Sequence, residues 1–136
     1  MDHKDAILEL EFWAEKKGYC VYFSREVEDE VCLQSKIISI NSTRSTEVQL
    51  HTMLHECGHI LAYDNGSILK TRDVIDKYGD KTRIHRVFTV VEEVEAWRRG
   101  LSLANRMGIQ INKDKWDRCV ARALKKYMQW CLDFNY

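Results

Sequence analysis

Apolar residues at Ala6, Ile7, Leu10, Trp13 and Ala14 recur at helical spacing among charged neighbours, and Gly18 follows as a stop. Residues 4 to 17 therefore predict an amphipathic helix that packs on a core. The period then changes. Tyr19 to Ser24, Glu30 to Gln34 and Lys36 to Asn41 are short and β-leaning, with the acidic stretch from Glu26 to Glu30 as a turn, and predict a sheet of two or three strands. Thr46 opens the next helix: Thr46 and Gln49 have the spacing of a capping box, apolar residues continue to Tyr63, and Asp64-Asn65-Gly66 ends it. Residues 67 to 83 are polar and mixed in charge, with Gly79-Asp80 as a turn signal, and predict a long loop of the kind that is often functional. A second long helix is expected from about Ile84 or Thr89 to Met107, ended by Gly108, and a third from about Lys113 to Leu132, capped by Asn112. On this last helix Trp116, Cys119, Val120, Ala123, Tyr127, Trp130, Cys131 and Phe134 form one apolar stripe, which reads as core and not as a base-stacking platform.

The pattern is that of an α+β chain, mostly helical, with residues 1–136 as one domain and no internal repeat. A length of 136 residues suffices for one core without staples, and 45% hydrophobic and 31% charged residues are the fractions of a soluble globular protein. Lys plus Arg (21) balances Asp plus Glu (21), so no global field recruits nucleic acid or an anionic membrane surface. The basic residues between Lys70 and Arg86 are interleaved with Asp73, Asp76 and Asp80 and read as a solvated loop, while Lys125-Lys126 suits the negative end of a helix. Five cysteines (Cys20, Cys32, Cys57, Cys119, Cys131) without a CxxC pair point to a reduced, cytoplasmic setting. The chain begins without an apolar leader segment, and no run approaches the length of a membrane span, so neither export by that route nor insertion is expected.

The chemistry concentrates at His55-Glu56-Cys57-Gly58-His59, an HExxH pattern. Residues four apart share a helical face, so two imidazoles can meet one Zn²⁺ while Glu56 reaches the water the ion activates. A shuffled chain of this composition would contain the pattern roughly once in a hundred trials, so context must support it. A catalytic zinc site needs a third protein ligand, and Glu92, Glu93 and Glu95 on the second long helix supply candidates. Glu93 is favoured because it shares a face with Ala96, Trp97 and Gly100, and the small Ala96 and Gly100 would let that face approach the motif helix. Glu92 and Glu95 project toward solvent or toward Arg98 and Arg99, with Glu95 the first substitute. The expected reaction is peptide hydrolysis, with Glu56 as general base and then general acid. Candidates for an oxyanion donor are His51, Tyr63, Tyr78 and His85, although His51 reads better as an exposed helical histidine. Cys57 projects to a different side from His55 and reads as a packing residue, not a nucleophile.

Three segments, Lys36-Ile-Ile-Ser-Ile-Asn41, Thr52-Met-Leu-His-Glu-Cys-Gly-His-Ile-Leu61 and Glu92-Glu-Val-Glu-Ala96, together resemble the ImmA/IrrE-type metallopeptidases, a zincin family with a glutamate as third ligand. In that family a short strand ends in Asn, a helix carries HExGH and a later helix bears Glu-x-x-Ala, matched here by Glu93-Val-Glu-Ala96. The resemblance covers about residues 36 to 105, with HExGH as its specific part. It implies His55, His59 and Glu93 as zinc ligands, Glu56 as catalytic, and a zincin-like fold with the motif on a central helix. It also implies an edge strand, at residues 36 to 41, that holds an extended peptide by strand addition. The chain departs from the family in having Ala96-Trp-Arg-Arg-Gly100 where an apolar segment ending in Met-Pro is usual, no proline anywhere, and Trp97 where Asn is common. A zinc-dependent protease acting on a specific regulatory protein is what the resemblance implies, within a small branch carried by phages or mobile elements. The alternative is a non-catalytic zincin-like protein-interaction module of the same origin.

Overall fold

The computed structural model describes the backbone of residues 1–133, and the side chains of all of these except 67–72. Helix α1 (His3–Lys16) leads into strand β1 (Cys20–Ser24), and strands β2 (Glu30–Cys32) and β3 (Ile37–Asn41) follow. Helices α2 (Thr46–Asp64), α3 (Ser67–Tyr78), α4 (Arg83–Arg106) and α5 (Lys113–Leu132) complete the chain. Most of the structure is helix, with one small mixed sheet, an α+β arrangement. No described helix is long and apolar enough to cross a membrane.

The sheet order is β1-β3-β2, with β1 parallel and β2 antiparallel to β3. Alternation on β3 sends Ile38 and Ile40 into the core, where both are fully buried, and this face sits on α2. The strand expected at residues 36 to 41 is thus the central one, hydrogen-bonded on both sides, and it has no free edge for a peptide. The edges are β1 and β2, and β2 packs against the motif helix.

Helix α2 touches α1, α3, α4, α5, β2 and β3, so it is buried nearly all round, with Leu50, Met53, Leu54, Cys57 and Ile60 wholly inside. Each such aliphatic side chain stabilises the fold by about 1.5–3 kcal/mol relative to exposure. The helix starts one residue earlier in its cap than the pattern predicts: Ser45 is the N-cap, its hydroxyl accepting from the Val48 N–H at 3.2 Å. The expected Thr46/Gln49 capping box does not form. The Gln49 amide instead donates to the Arg44 carbonyl at 2.7 Å, tying the β3–α2 turn to the helix.

Residues 67 to 78 form α3, where a loop was expected. Gly66 turns the chain out of α2 with φ 78°, a conformation that glycine adopts without strain. Helix α3 packs on α2 and α4, yet from residue 73 onward only Val74 is buried. Over these described residues there is little periodicity to detect. Thr82 caps the start of α4, its hydroxyl accepting from the His85 N–H, so α4 begins at the early end of the expected range. On α5 only Trp116 is buried, while Cys119, Val120 and Ala123 pack partly against the core. Trp130 lies exposed under the Arg86 guanidinium, and Phe134, also placed in the apolar stripe, lies outside the described residues.

Helices α2 and α4 approach each other closely. A Cβ at Gly58 would overlap the Ala96 carbonyl, and one at Gly100 would lie 2.5 Å from the Leu54 carbonyl oxygen. Both obstacles are backbone, which cannot swing aside. In an open helix Gly→Ala is favourable by about 0.5–1 kcal/mol, whereas overpacking costs about 1–3 kcal/mol or more. Gly58→Ala and Gly100→Ala are therefore each expected to destabilise the protein by about 1–2 kcal/mol, read as a lower urea midpoint; a midpoint at or above wild type would mean that the helices stand further apart.

Candidate metal centre

One turn of α2 places the His55 and His59 rings 4.6 Å apart, centroid to centroid. Across the close α2–α4 contact, Glu93 enters between them. Its carboxylate oxygens lie 2.8 Å from His55 Nε2 and 3.3 Å from His59 Nε2. One donor atom from each residue falls within 4.8 Å of the others, and these three form the metal-capable group among the described residues. Ligands about 2.0–2.1 Å from a tetrahedral ion stand roughly 3.3 Å apart. The His59–Glu93 separation already matches, and His55–Glu93 needs to open only slightly. Two imidazoles and a carboxylate, with room beside them, can hold a metal ion.

The electrostatics agree. Burial works against a charged His55, but the adjacent Glu56 and Glu93 carboxylates outweigh it and push its pKa up to about 9. Burial likewise opposes ionisation of Glu93, yet hydrogen bonds from His55 and His59 hold its carboxyl well below the usual carboxylate range. Glu56 is also buried, with Oε1 3.4 Å from His55 Nδ1. Trp97 stacks flat on the His55 ring, 4.2 Å between centroids and 10° between planes, and is itself wedged edge-on by Trp116 at 5.2 Å. The Trp97 indole thus holds the orientation of the His55 ring.

The other acidic candidates go elsewhere. Glu95 pairs with Arg99 at 2.9 Å and with Arg98 at 3.5 Å, as its direction on the helix predicts. Glu92 is half-buried and outside the convergent group. Cys57 is fully buried, and burial with the Glu56 charge pushes its thiol above its ordinary range, which suits packing and not nucleophilic attack.

Four side chains considered as oxyanion donors do not line the cavity that holds the three convergent groups. His51 is buried, not exposed: α5 covers it, with a ring nitrogen 3.4 Å from Cys119 Sγ and its edge on Trp116. Tyr63 and Tyr78 are about half exposed, and His85 lies near Trp130. The cavity, about 290 Å³, is walled by His55, Glu56, His59, Glu93, the β2 edge and Tyr127. Burial, the Glu93 charge and a hydrogen bond to Glu93 push the Tyr127 pKa up to about 12, so its phenol keeps its proton and can donate. The sequence pattern places Tyr127 in an apolar stripe. Its hydroxyl was the available signal, because a tyrosine facing a core needs a polar partner.

Asp29 also lines the cavity and is held by Asn41 and Arg44. Asp29 accepts from the Asn41 N–H at 2.7 Å and pairs with Arg44 at 2.6 Å, while Asn41 Nδ2 donates to the Val27 carbonyl at 2.9 Å. These bonds tie the β1–β2 connection to the end of β3 and place Asp29 at the cavity.

Because His55 carries a proton below about pH 9 in the metal-free protein, binding an ion must expel it. Affinity for a divalent probe such as Zn²⁺ should therefore rise about tenfold per pH unit between roughly pH 6 and 8, flattening near the His55 pKa. Competition against a chromophoric chelator measures this, and a pH-independent affinity would contradict the protonated imidazole. No family model, no curated protein and no solved structure matches the chain.

Proposed function

We propose that this chain is a zinc-dependent metallopeptidase with a zincin-like fold, hydrolysing peptide bonds of a specific protein substrate. The observation that carries this reading is the meeting of His55, His59 and Glu93 in one cavity whose wall also includes Glu56. His55, His59 and Glu93 are the residues that would hold the ion, and two imidazoles with one carboxylate suit zinc. When bound, zinc supplies a Lewis acid that acidifies water and polarises a carbonyl. The Glu56 carboxylate takes the proton of the attacking water and passes it to the leaving amine. Tyr127 donates its phenolic hydrogen to the carbonyl oxygen as negative charge develops there. Trp97 holds the His55 ring in register.

Substrate enters along β2. This edge strand, Glu30–Cys32, rims the cavity through Glu30 and Val31 and pairs with β3 on one side only, so an extended peptide can add to its other side. All five cysteines are free, with Cys20 and Cys32 exposed, which suits a reducing compartment such as the cytoplasm.

Purified wild type should contain one zinc per chain, and His55→Ala, His59→Ala and Glu93→Ala should each lose it, whereas Glu95→Ala should retain it; metal analysis by mass spectrometry distinguishes these. Glu56→Gln should keep its zinc and lose turnover by about 10²–10⁴-fold. Proteomic comparison of cells expressing wild type or Glu56→Gln exposes the substrate, and identical proteomes would favour a non-catalytic contact module. On the substrate so found, Tyr127→Phe should lower kcat by about 10²–10³-fold with little change in KM; an unchanged kcat would remove Tyr127 from the chemistry.

A further inference from the structure

A second cavity, of about 300 Å³, adjoins the first across His55 and Glu56. The two share Asp29, His55 and Glu56 as common walls, so they form neighbouring compartments along one cleft. Its remaining lining contains three cationic side chains, Arg44, Arg122 and Lys126, over an apolar floor that includes Val48, Trp97 and Ala123. In a chain whose charges balance overall, such a local surplus calls for an explanation.

The two carboxylates in that lining are already engaged. Asp29 is held by Arg44 and by the Asn41 N–H, and Glu56 lies against His55. Arg122 and Lys126 are exposed and form no ion pair among the described residues. They stand four apart on α5, one helical turn, where like charges repel and cost helix stability. Cys119, Arg122, Ala123, Lys126 and Tyr127 form a single stripe of α5 along the cleft, so the two cations sit in register with Tyr127. Lys126 therefore belongs to this cleft as well as to the negative end of its helix.

We propose that the compartment lined by Arg122 and Lys126, beside the Asp29-paired Arg44, is a carboxylate-binding subsite that selects peptides carrying an acidic group next to the bond to be cut. The inference rests on the metallopeptidase reading for its role in cleavage, but not for the binding itself. Either an Asp or Glu side chain or a free C-terminal carboxylate has the required chemistry. A side chain of that size fits the compartment, and arginine forks and a lysine point charge are the groups that recognise it.

The test uses positional-scanning libraries of hexapeptides in which one position is fixed as Glu, Gln or Lys, prepared both capped at each end and with a free C-terminus. Retention on zinc-loaded Glu56→Gln protein is read by mass spectrometry, and cleavage by wild type is read on the same libraries. Glu-fixed capped pools should be retained at least about tenfold better than Gln-fixed pools at one position. Retention should weaken with added salt and be lost in the Arg122→Glu/Lys126→Glu variant, which should shift toward Lys-fixed pools. Preference confined to uncapped peptides would assign the site to the terminal carboxylate. Equal retention of Glu and Gln pools, capped and uncapped, would overturn the proposal even if wild type cleaves peptides. Acidic preference without cleavage would leave the subsite standing and sink the hydrolase reading instead.

Discussion

The site depends on how closely α2 and α4 approach. Gly58 meets the Ala96 backbone and Gly100 meets the Leu54 backbone, so the two helices touch main chain to main chain at two points about one turn apart. With side chains of ordinary size at those positions the axes would stand farther apart, as helices in general do. Glu93 lies one turn before Ala96 on the same face of α4. It reaches both imidazoles of α2 only because that face has been drawn in. A metal-capable cluster is thus the geometric result of two missing side chains.

Bringing buried carboxylates together is costly unless each has a partner. Here Glu93 has the two imidazoles and the Tyr127 hydroxyl, and Glu56 lies beside His55. The protonated His55 offsets one of the two carboxylate charges, which explains the directions in which the His55 and Glu93 pKa values move. A divalent ion can replace that proton, so the same arrangement that tolerates burial also prepares a binding site. Aromatic packing keeps the arrangement in place: Trp116 supports Trp97, and Trp97 supports the His55 ring.

Helix α5 has two roles that its pattern merges. Its buried Trp116 and half-buried Cys119, Val120 and Ala123 close the core over α2 and cover His51. Farther along, the same face opens into the cleft and carries Arg122, Lys126 and Tyr127. A helix that leaves the core partway along its length changes the meaning of a continuous stripe. The apolar stem of each long side chain satisfies the pattern while its polar end does something else.

Much of the fold was legible because it is local. Helical periodicity located α1, α2, α4 and α5, and alternation located the strands. The small residues Ala96 and Gly100 marked the face of α4 that carries Glu93, and HExxH marked the pair on α2. Helix α3 has no clear signal in the sequence because its residues are polar and mixed in charge, and the cap of α2 falls one residue from the expected place because Ser45 and Thr46 are both able to serve. The order of the strands could not be read, since β-leaning segments say nothing about which neighbours they pair with; β3 is central only because β1 and β2 both find it in three dimensions. Chain order and residue type determined that two histidines share a turn and that a glutamate follows on a helix with a small-residue face. Tertiary packing alone decided that Tyr127 and the cations of α5 stand beside them. That fact depends on where one helix leaves the core of another, a long-range property that no local period encodes.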